Sequence, residues 1–261
     1  MPKHGHSKGS TVFIDKAHHN YHTAFQRYAP LSKVLASDGY VVKEIQERFT
    51  EDLLRNVDIL VIANALDSLN LGNWRLPVLS AFTPQERTVI KNWVMAGGSL
   101  FLIADHFPFA GAAQALAAEF GFGFGNCFAL DNRQRIIEIF TKSNGSLLNS
   151  PLTKAIDTVV TFTGSAFTMP KEAVPVLKLQ HYTLMFPRRA WEFDDSTPYS
   201  DSKGYYQLAY RTFGRGKVVV SAEAGMFTAQ IAEGNSVGFN HPVARQNITL
   251  LLNLIHWLDK R

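Results

Sequence analysis

Short apolar runs alternate with amphipathic segments through the first half of the chain. The apolar runs predict strands at 11–15 (TVFID), 40–45 (YVVKEI), 58–65 (DILVIANA) and 99–105 (SLFLIAD). Two of these runs contain ILVIA and LFLIA, which are apolar at every position, as is typical of strands that helices cover on both faces. The pattern predicts an α/β fold, with a Rossmann-like or flavodoxin-like, doubly wound, mostly parallel sheet in three α/β/α layers.

Helix signals separate the predicted strands. The segment TPQERTVIKNWVMAGG has Thr83 as a predicted N-cap and Pro84 at the first helical position, while AFQRYAPLSKVLASDG and TEDLLRNV predict two further helices. Near the C terminus, YYQLAYRTFGRGKVVVSAEA predicts a hairpin, and HPVARQNITLLLNLIHWLDK predicts a terminal helix with Pro242 in its first position. The region 128–200 has no regular pattern, and its segment 187–204 is either a surface flap or a long connection.

The composition is that of an ordinary globular protein. Of 261 residues, 46% are hydrophobic and 18% charged, and the net charge of +4 is spread along the chain without the basic stripe that nucleic-acid binding needs. No apolar stretch approaches the roughly 20 residues of a membrane span, and MPKHGHSKGS lacks the apolar core of a signal peptide.

We expect a flexible segment 1–10 and one domain over 11–261. As given, the chain is predicted to be cytoplasmic; removal of a signal peptide would instead imply a periplasmic or secreted protein.

Polar residues follow several of the predicted strands. Asp15 ends the first strand, and the eight residues after it contain three of the nine histidines. Asp105 and His106 follow the fourth strand, Asn64 ends the third, and Glu223 follows the apolar run in VVVSAEAGMF. Ligands of open parallel sheets bind outside the carboxyl ends of the strands. With the first and fourth strands adjacent, these groups are expected to face one crevice.

Imidazoles and carboxylates in one crevice are the ligand set of zinc and, with more oxygen donors, of manganese or calcium. The spacing of His18 or His19 to His22 would put two imidazoles on one face of a helix. The candidates are Asp15, His19 and His22 as ligands of a divalent metal ion, His18, Asn20 and Asn64 as substrate contacts, and Asp105, His106 and Glu223 as catalytic groups. The alternative is that the histidines cap a helix or satisfy the loop, with Asp15 accepting backbone hydrogen bonds.

Nucleophilic catalysis by a thiol or hydroxyl is not favoured. Cys127 is the only cysteine, so the chain forms no internal disulfide and no thiolate metal site. Because its neighbours include Phe124 and Phe128, we expect this thiol to be buried and unreactive. The turn after SLFLIAD offers Asp105 and His106 but no thiol or hydroxyl, and GFGFG lacks the Lys and Ser or Thr of a phosphate loop.

Four segments resemble the class I glutamine amidotransferase-like superfamily: DILVIANAL, FTPQERTVIKNWVMAGGSLFLIAD, AEAGMF and NITLLLNLIHWL. The resemblance covers about two thirds of the chain and is closest to a branch that includes trehalose-utilisation-type proteins. It implies the fold of that superfamily. Catalytic members carry a cysteine after the fourth-strand equivalent, where this chain has Asp105 or His106, so the resemblance does not imply glutamine hydrolysis.

Two functions follow from these residues. The first is metal-assisted hydrolysis of a small ester, lactone, amide or sugar-derived substrate, because a divalent ion makes a nucleophile of water without a serine or cysteine. The second is a non-catalytic ligand-binding or scaffold domain. A subunit of a larger assembly, including a homo-oligomer, is a third and weaker hypothesis.

Overall fold

The fold was analysed in a computed structural model that describes residues 2–5, 7–133 and 137–259. The first half alternates strands and helices: β1 (Thr11–Asp15), α1 (Ala29–Ser37), β2 (Val41–Ile45), α2 (Glu51–Leu54), β3 (Ile59–Ala63), α3 (Pro84–Met95), β4 (Ser99–Ile103) and α4 (Phe109–Ala118). The second half is mostly strands: β5 (Gly123–Asp131), β6 (Glu138–Thr141), β7 (Thr158–Thr161), β8 (Gly164–Thr168), β9 (Val174–Lys178), β10 (Tyr182–Met185), β11 (Tyr199–Asp201), β12 (Tyr206–Phe213), β13 (Gly216–Ser221), β14 (Ala229–Ala232), β15 (Asn235–Gly238), with α5 (Arg245–Leu258) last.

The central sheet has eleven strands and is mixed rather than mostly parallel. Its order is β11-β10-β5-β8-β12-β13-β4-β3-β1-β2, with β9 paired to β12. The strands β2, β1, β3, β4 and β13 are parallel, and the pairings from β12 outward to β11 are antiparallel. The predicted parallel strands are thus confirmed, but they form only one half of the sheet. Moreover, β3 lies between β1 and β4, which are not adjacent as expected.

Apolar clusters cover both faces of this sheet. Along β3, Val61 belongs to the cluster that includes Leu31 of α1 and Leu254 of α5. Its neighbour Ile62 belongs to the other cluster, with Ile90 of α3 and residues of α4. Since alternate residues of a strand point to opposite faces, a strand that is apolar at every position is buried by helices on both sides.

Local signals fix some helix ends and mislead at others. The side chain of Thr83 accepts from the backbone N–H of Glu86, and the side chain of Glu86 accepts from the backbone N–H of Thr83, which completes a capping box at the start of α3. The prediction of Pro242 as the first residue of the terminal helix is wrong. A turn occupies 242–244, and α5 begins at Arg245.

The two ends of the described chain meet on one side of the sheet. Lys3 Nζ and His4 Nε2 lie 2.7 and 3.0 Å from Asp259 Oδ2. The division into a flexible segment 1–10 and a domain 11–261 remains a prediction. Within the described ranges, no helix combines the length and the hydrophobicity that crossing a bilayer requires.

Candidate functional site

Asn64 connects two of the predicted site residues. It follows β3 with a left-handed φ of 51°, a conformation that asparagine tolerates better than most residues. Its Oδ1 accepts from the backbone N–H of Asp105 at 2.8 Å, so its amide nitrogen must be the atom 3.0 Å from Nδ1 of His22. Asn64 therefore positions the residues after β1 and β4.

This contact decides which nitrogen of His22 carries the proton. Because Nδ1 accepts from Asn64, neutral His22 has its proton on Nε2, which makes no hydrogen bond with any described residue. Burial, together with the positive charges of Arg27 and of protonated His106, lowers the pKa of His22 to about 3. His22 is thus a neutral N–H donor near physiological pH.

Asp105 and His106 follow β4 and present complementary groups. Asp105 Oδ1 accepts from the backbone N–H of His106 at 2.8 Å, and the side-chain amide of Asn64 also interacts with this carboxyl group. His106 Nδ1 lies 2.7 Å from the carbonyl oxygen of Phe107, so the neutral ring has its lone pair on Nε2. Burial raises the pKa of Asp105, an effect that the nearby His106 opposes. The pair offers a carboxyl group and an imidazole lone pair side by side.

His22, Asp105 and His106 all line one cavity of about 190 Å³. The sequence analysis did not select the other residues of its wall, which come from turns, loops and β14: Tyr21, Arg27, Trp74, Phe162, Thr163, Trp191, Gly225 and Gln230. The Nε2 atoms of His22 and His106, which make no hydrogen bond with a described residue, therefore belong to side chains that line the same cavity.

Two tryptophans from separate loops pack against His106. The ring of Trp191 lies 4.9 Å from the imidazole and that of Trp74 lies 6.0 Å from it. Backbone hydrogen bonds of 2.9 Å join the two loops, from Leu76 N to Arg188 O and from Ala190 N to Trp74 O. The segment 187–204 therefore contributes part of the cavity wall through Trp191, which has a left-handed φ of 66°.

Glu223 is fully buried behind the cavity. Its Oε1 accepts from Phe162 N at 3.3 Å and its Oε2 from Met226 N at 2.8 Å. Burial raises the pKa of Glu223, and the charges of Asp105 and Glu138 raise it further. Because both oxygens bind backbone, this predicted catalytic residue holds the segments that place Phe162 and Gly225 in the wall.

Asp15 and His18 do not line the cavity, contrary to the expected convergence. His18 Nδ1 lies 2.9 Å from Asp15 Oδ2, and Nε2 lies 2.8 Å from Glu86 Oε1. The ring of His18 packs between Phe49 and Phe82, at 4.7 and 4.8 Å between centroids. Both nitrogens of His18 are thus used by buried carboxylates, and the roles of Asp15 as a metal ligand and of His18 as a substrate contact remain predictions.

His19 and Asn20 also lie outside the cavity wall. His19 is exposed and has a left-handed φ of 48°. Asn20 accepts from the backbone N–H of His18 at 3.2 Å and donates to the carbonyl oxygen of Ala63 at 3.3 Å. The loop after β1 therefore sends only His22, of the residues predicted from it, into the cavity.

The described residues contain no group of three or more His, Cys, Asp or Glu side chains that could hold a metal ion. The predicted ligands Asp15, His19 and His22 have three different surroundings. His22 is also in the wrong tautomer, because a ligand that binds through Nε2 needs its proton on Nδ1, where Asn64 already donates. Of the two cavity histidines, only His106 has its proton where an Nε2 ligand requires it.

Cys127 is buried in β5, as predicted. Burial raises the pKa of its thiol to about 12. The thiolate, which is the nucleophilic form, is therefore scarce at neutral pH.

Comparison with known proteins identifies the fold. No protein-family model matches the sequence, and no curated protein sequence matches it either. Among solved structures, the mmIFT52 N-terminal domain covers 95% of this chain and 97% of its own, with a TM-score of 0.67 and 17% identity. A ThuA-like protein from Bacteroides uniformis covers 98% and 96%, with a TM-score of 0.57 and 13% identity. A cytoplasmic protein from Salmonella typhimurium LT2 covers 96% and 99%, with a TM-score of 0.53 and 14% identity. The likeness to a ThuA-like protein agrees with the fold implied by the resemblance to trehalose-utilisation-type proteins, and identities this low show a shared fold alone.

Proposed function

We propose that the cavity is the active site of a hydrolase for a small ester, lactone, amide or sugar-derived substrate. The observation that supports this proposal is the presence of Asp105, His106 and His22 around one cavity, where Nε2 of each histidine makes no hydrogen bond with a described residue. The three side chains offer a carboxyl group, an imidazole lone pair and a neutral N–H donor. Such groups supply the base, the acid and the oxyanion donor of acyl transfer.

The roles follow from the tautomers. His106 Nε2 takes a proton from a water molecule as that water attacks the carbonyl carbon. His22 Nε2–H donates to the carbonyl oxygen as negative charge develops there, and its neutrality persists near physiological pH because its pKa is lowered to about 3. Asp105, with its pKa raised by burial, donates a proton to the leaving group, and the proton that His106 took from water then returns to Asp105 through solvent. Glu223 holds the cavity wall through backbone contacts.

The metal-assisted form of the reaction is a variant of this proposal. A zinc, manganese or calcium ion would supply a bound hydroxide near neutral pH. The described residues do not fit such an ion, since the tautomer of His22 opposes binding and Asp15 is engaged by His18. The acid–base form is therefore the one that we propose.

A panel of chromogenic esters and lactones tests the proposal. We expect His106→Gln to lower kcat/KM by about 100-fold or more, which is the usual contribution of a general base. The exposed His19→Asn is the matched control and should leave turnover unchanged. Unfolding of each variant is followed by circular dichroism, so that a loss of fold is not mistaken for a loss of catalysis.

The same assay separates the alternatives. Activity that EDTA abolishes and Zn²⁺ restores would indicate the metal-assisted form. Small-molecule binding to the parent protein without turnover of any substrate would indicate the non-catalytic ligand-binding domain, for which the tryptophan-walled cavity is equally suited. Equal turnover by the parent and His106→Gln would contradict the proposed role of His106.

A further inference from the structure

The side chain of Arg27 carries a positive charge at the wall of the cavity. Arg27 lies in the turn at 24–28 that precedes α1, and it is the only Lys or Arg among the described residues that line the cavity. It forms no ion pair with any described carboxylate. Its charge is therefore not neutralised by the protein around it.

Arg27 is held in place by two other wall residues. Its guanidinium carbon lies 4.1 Å from the centre of the Tyr21 ring, and Nη2 donates to the Tyr21 hydroxyl at 2.7 Å. Nη1 donates to Gln230 Oε1 at 3.4 Å. Stacking and hydrogen bonding together fix the plane of the guanidinium group.

The orientation of Gln230 is itself determined by its neighbours. The hydroxyl of Thr228 donates to the carbonyl oxygen of Gly225 at 2.7 Å, so Thr228 Oγ1 accepts from Gln230 Nε2 at 3.1 Å. The oxygen of the Gln230 amide must then face Arg27. A chain of neutral groups thus supports the cation, and none of them neutralises it.

Arg27 retains most of its binding capacity. A guanidinium group has five N–H donors, and the bonds to Tyr21 and Gln230 use two of them. The remaining donors suit the two oxygens of a carboxylate, which pairs with arginine in a planar, bidentate geometry. Burial keeps Asp105 and Glu223 protonated to higher pH, which reduces their repulsion of an anion.

We propose that Arg27 determines specificity, and that the substrate of the proposed hydrolase carries a carboxylate that pairs with Arg27 while its scissile bond lies at His22, Asp105 and His106. This inference rests on the proposed function for the scissile bond, whereas recognition of the carboxylate requires binding alone. The substrate class is a small ester, lactone or amide of a carboxylic acid with a second, free carboxylate.

Paired ligands that differ only in charge test the inference. Binding of succinate and of its neutral diamide is measured by calorimetry, and turnover of mono-4-nitrophenyl succinate is compared with that of 4-nitrophenyl butyrate. We expect the parent protein to prefer the anionic partner by about 10-fold or more, as a charge-assisted, bidentate contact would provide. Arg27→Gln should abolish the preference, and Arg27→Lys should keep part of it.

Arg215→Gln is the matched control for net charge. Arg215 is exposed and precedes β13, at the end of that strand opposite to Glu223 and the cavity, so this variant should keep the full preference. An equal preference in the parent and Arg27→Gln, or no preference in the parent, would overturn the inference. Arg27-dependent binding of succinate without turnover of either ester supports recognition of the carboxylate by Arg27 and contradicts hydrolysis of such esters in this cavity.

Discussion

Removal of the His18 imidazole is expected to destabilise the fold strongly while leaving the cavity groups intact. In His18→Ala, the carboxylates of Asp15 and Glu86 lose contacts of 2.9 and 2.8 Å, and a void opens between Phe49 and Phe82. Breaking a buried ion pair by removing one partner costs about 3–5 kcal/mol. For a domain of this size, that cost corresponds to a fall in Tm of roughly 10 °C.

The pH dependence gives this prediction its sign. Burial alone would lower the pKa of His18, but its hydrogen bonds and ion pairs with Asp15 and Glu86 raise it above 6.5. A raised histidine pKa contributes stability that is complete below the unfolded value and is lost as pH rises through the folded value. The pKa of Glu86 is lowered despite its burial, mainly by His18, so its contribution is lost as pH falls below 4.5 through the folded value. The network is therefore complete between about pH 4.5 and 6.5.

Urea unfolding of the parent and His18→Ala at about pH 6 and about pH 9 measures both effects. We expect the difference in free energy of unfolding between the parent and His18→Ala to be smaller at the higher pH, because the contribution of protonated His18 is lost there. His19→Asn is the control, because His19 is exposed and asparagine tolerates its left-handed φ, and it should change stability by less than about 0.5 kcal/mol. A loss below about 1 kcal/mol in His18→Ala, or a difference that widens with pH, would refute the reasoning.

Two further predictions concern buried titratable groups. Native protein should react with a thiol reagent at Cys127 far more slowly than unfolded protein, since burial raises the thiol pKa to about 12, and equal rates would show that the thiol is accessible. Burial raises the pKa of Glu138 to about 8, and its Oε2 accepts from Thr161 Oγ1 and Gln207 Nε2. A raised carboxyl pKa means that stability falls as pH rises through about 8, so the parent should lose stability between about pH 5 and pH 9. Glu138→Gln keeps the acceptor without the charge and should lose less over the same range in urea unfolding, and parallel losses would contradict this assignment.

The parallel half of the fold could be predicted because its signals are local. The strand predicted at 11–15 coincides with β1, and the strand predicted at 99–105 contains β4 (Ser99–Ile103), since short apolar runs bounded by turns have few other solutions. The antiparallel half could not be predicted in the same way. Gly123 and Gly125 lie inside β5, and Pro175 lies inside β9. These residues are unfavourable in strands, and only pairing with neighbouring strands explains their place.

The residues of the candidate site divide in the same way, into those that the sequence pattern indicates and those that only tertiary packing brings together. His22, Asp105 and His106 follow parallel strands, so the topology of the sheet pointed to them, but the same reasoning also selected Asp15 and His18, which lie outside the cavity wall. Arg27 and Gln230 come from a turn and a small two-stranded sheet, and tertiary packing alone brings them to the cavity.

His18 shows why a histidine near a predicted site can have a structural role. Its partner Glu86 lies 68 residues further along the chain, where the sequence explains it fully as a capping-box residue. Nothing in a single sequence links two such residues. Whether such a histidine binds a ligand or makes a structural contact depends on how deeply its ring is buried and on which side chains pair with it.

The backbone hydrogen bonds between the loops of Trp74 and Trp191 have a mechanical consequence. Two bonds of 2.9 Å join the backbones of the loops, so the loops separate only if these bonds break. A displacement of one loop backbone is therefore transmitted to the other, so the two sides of the cavity wall that carry Trp74 and Trp191 are mechanically coupled.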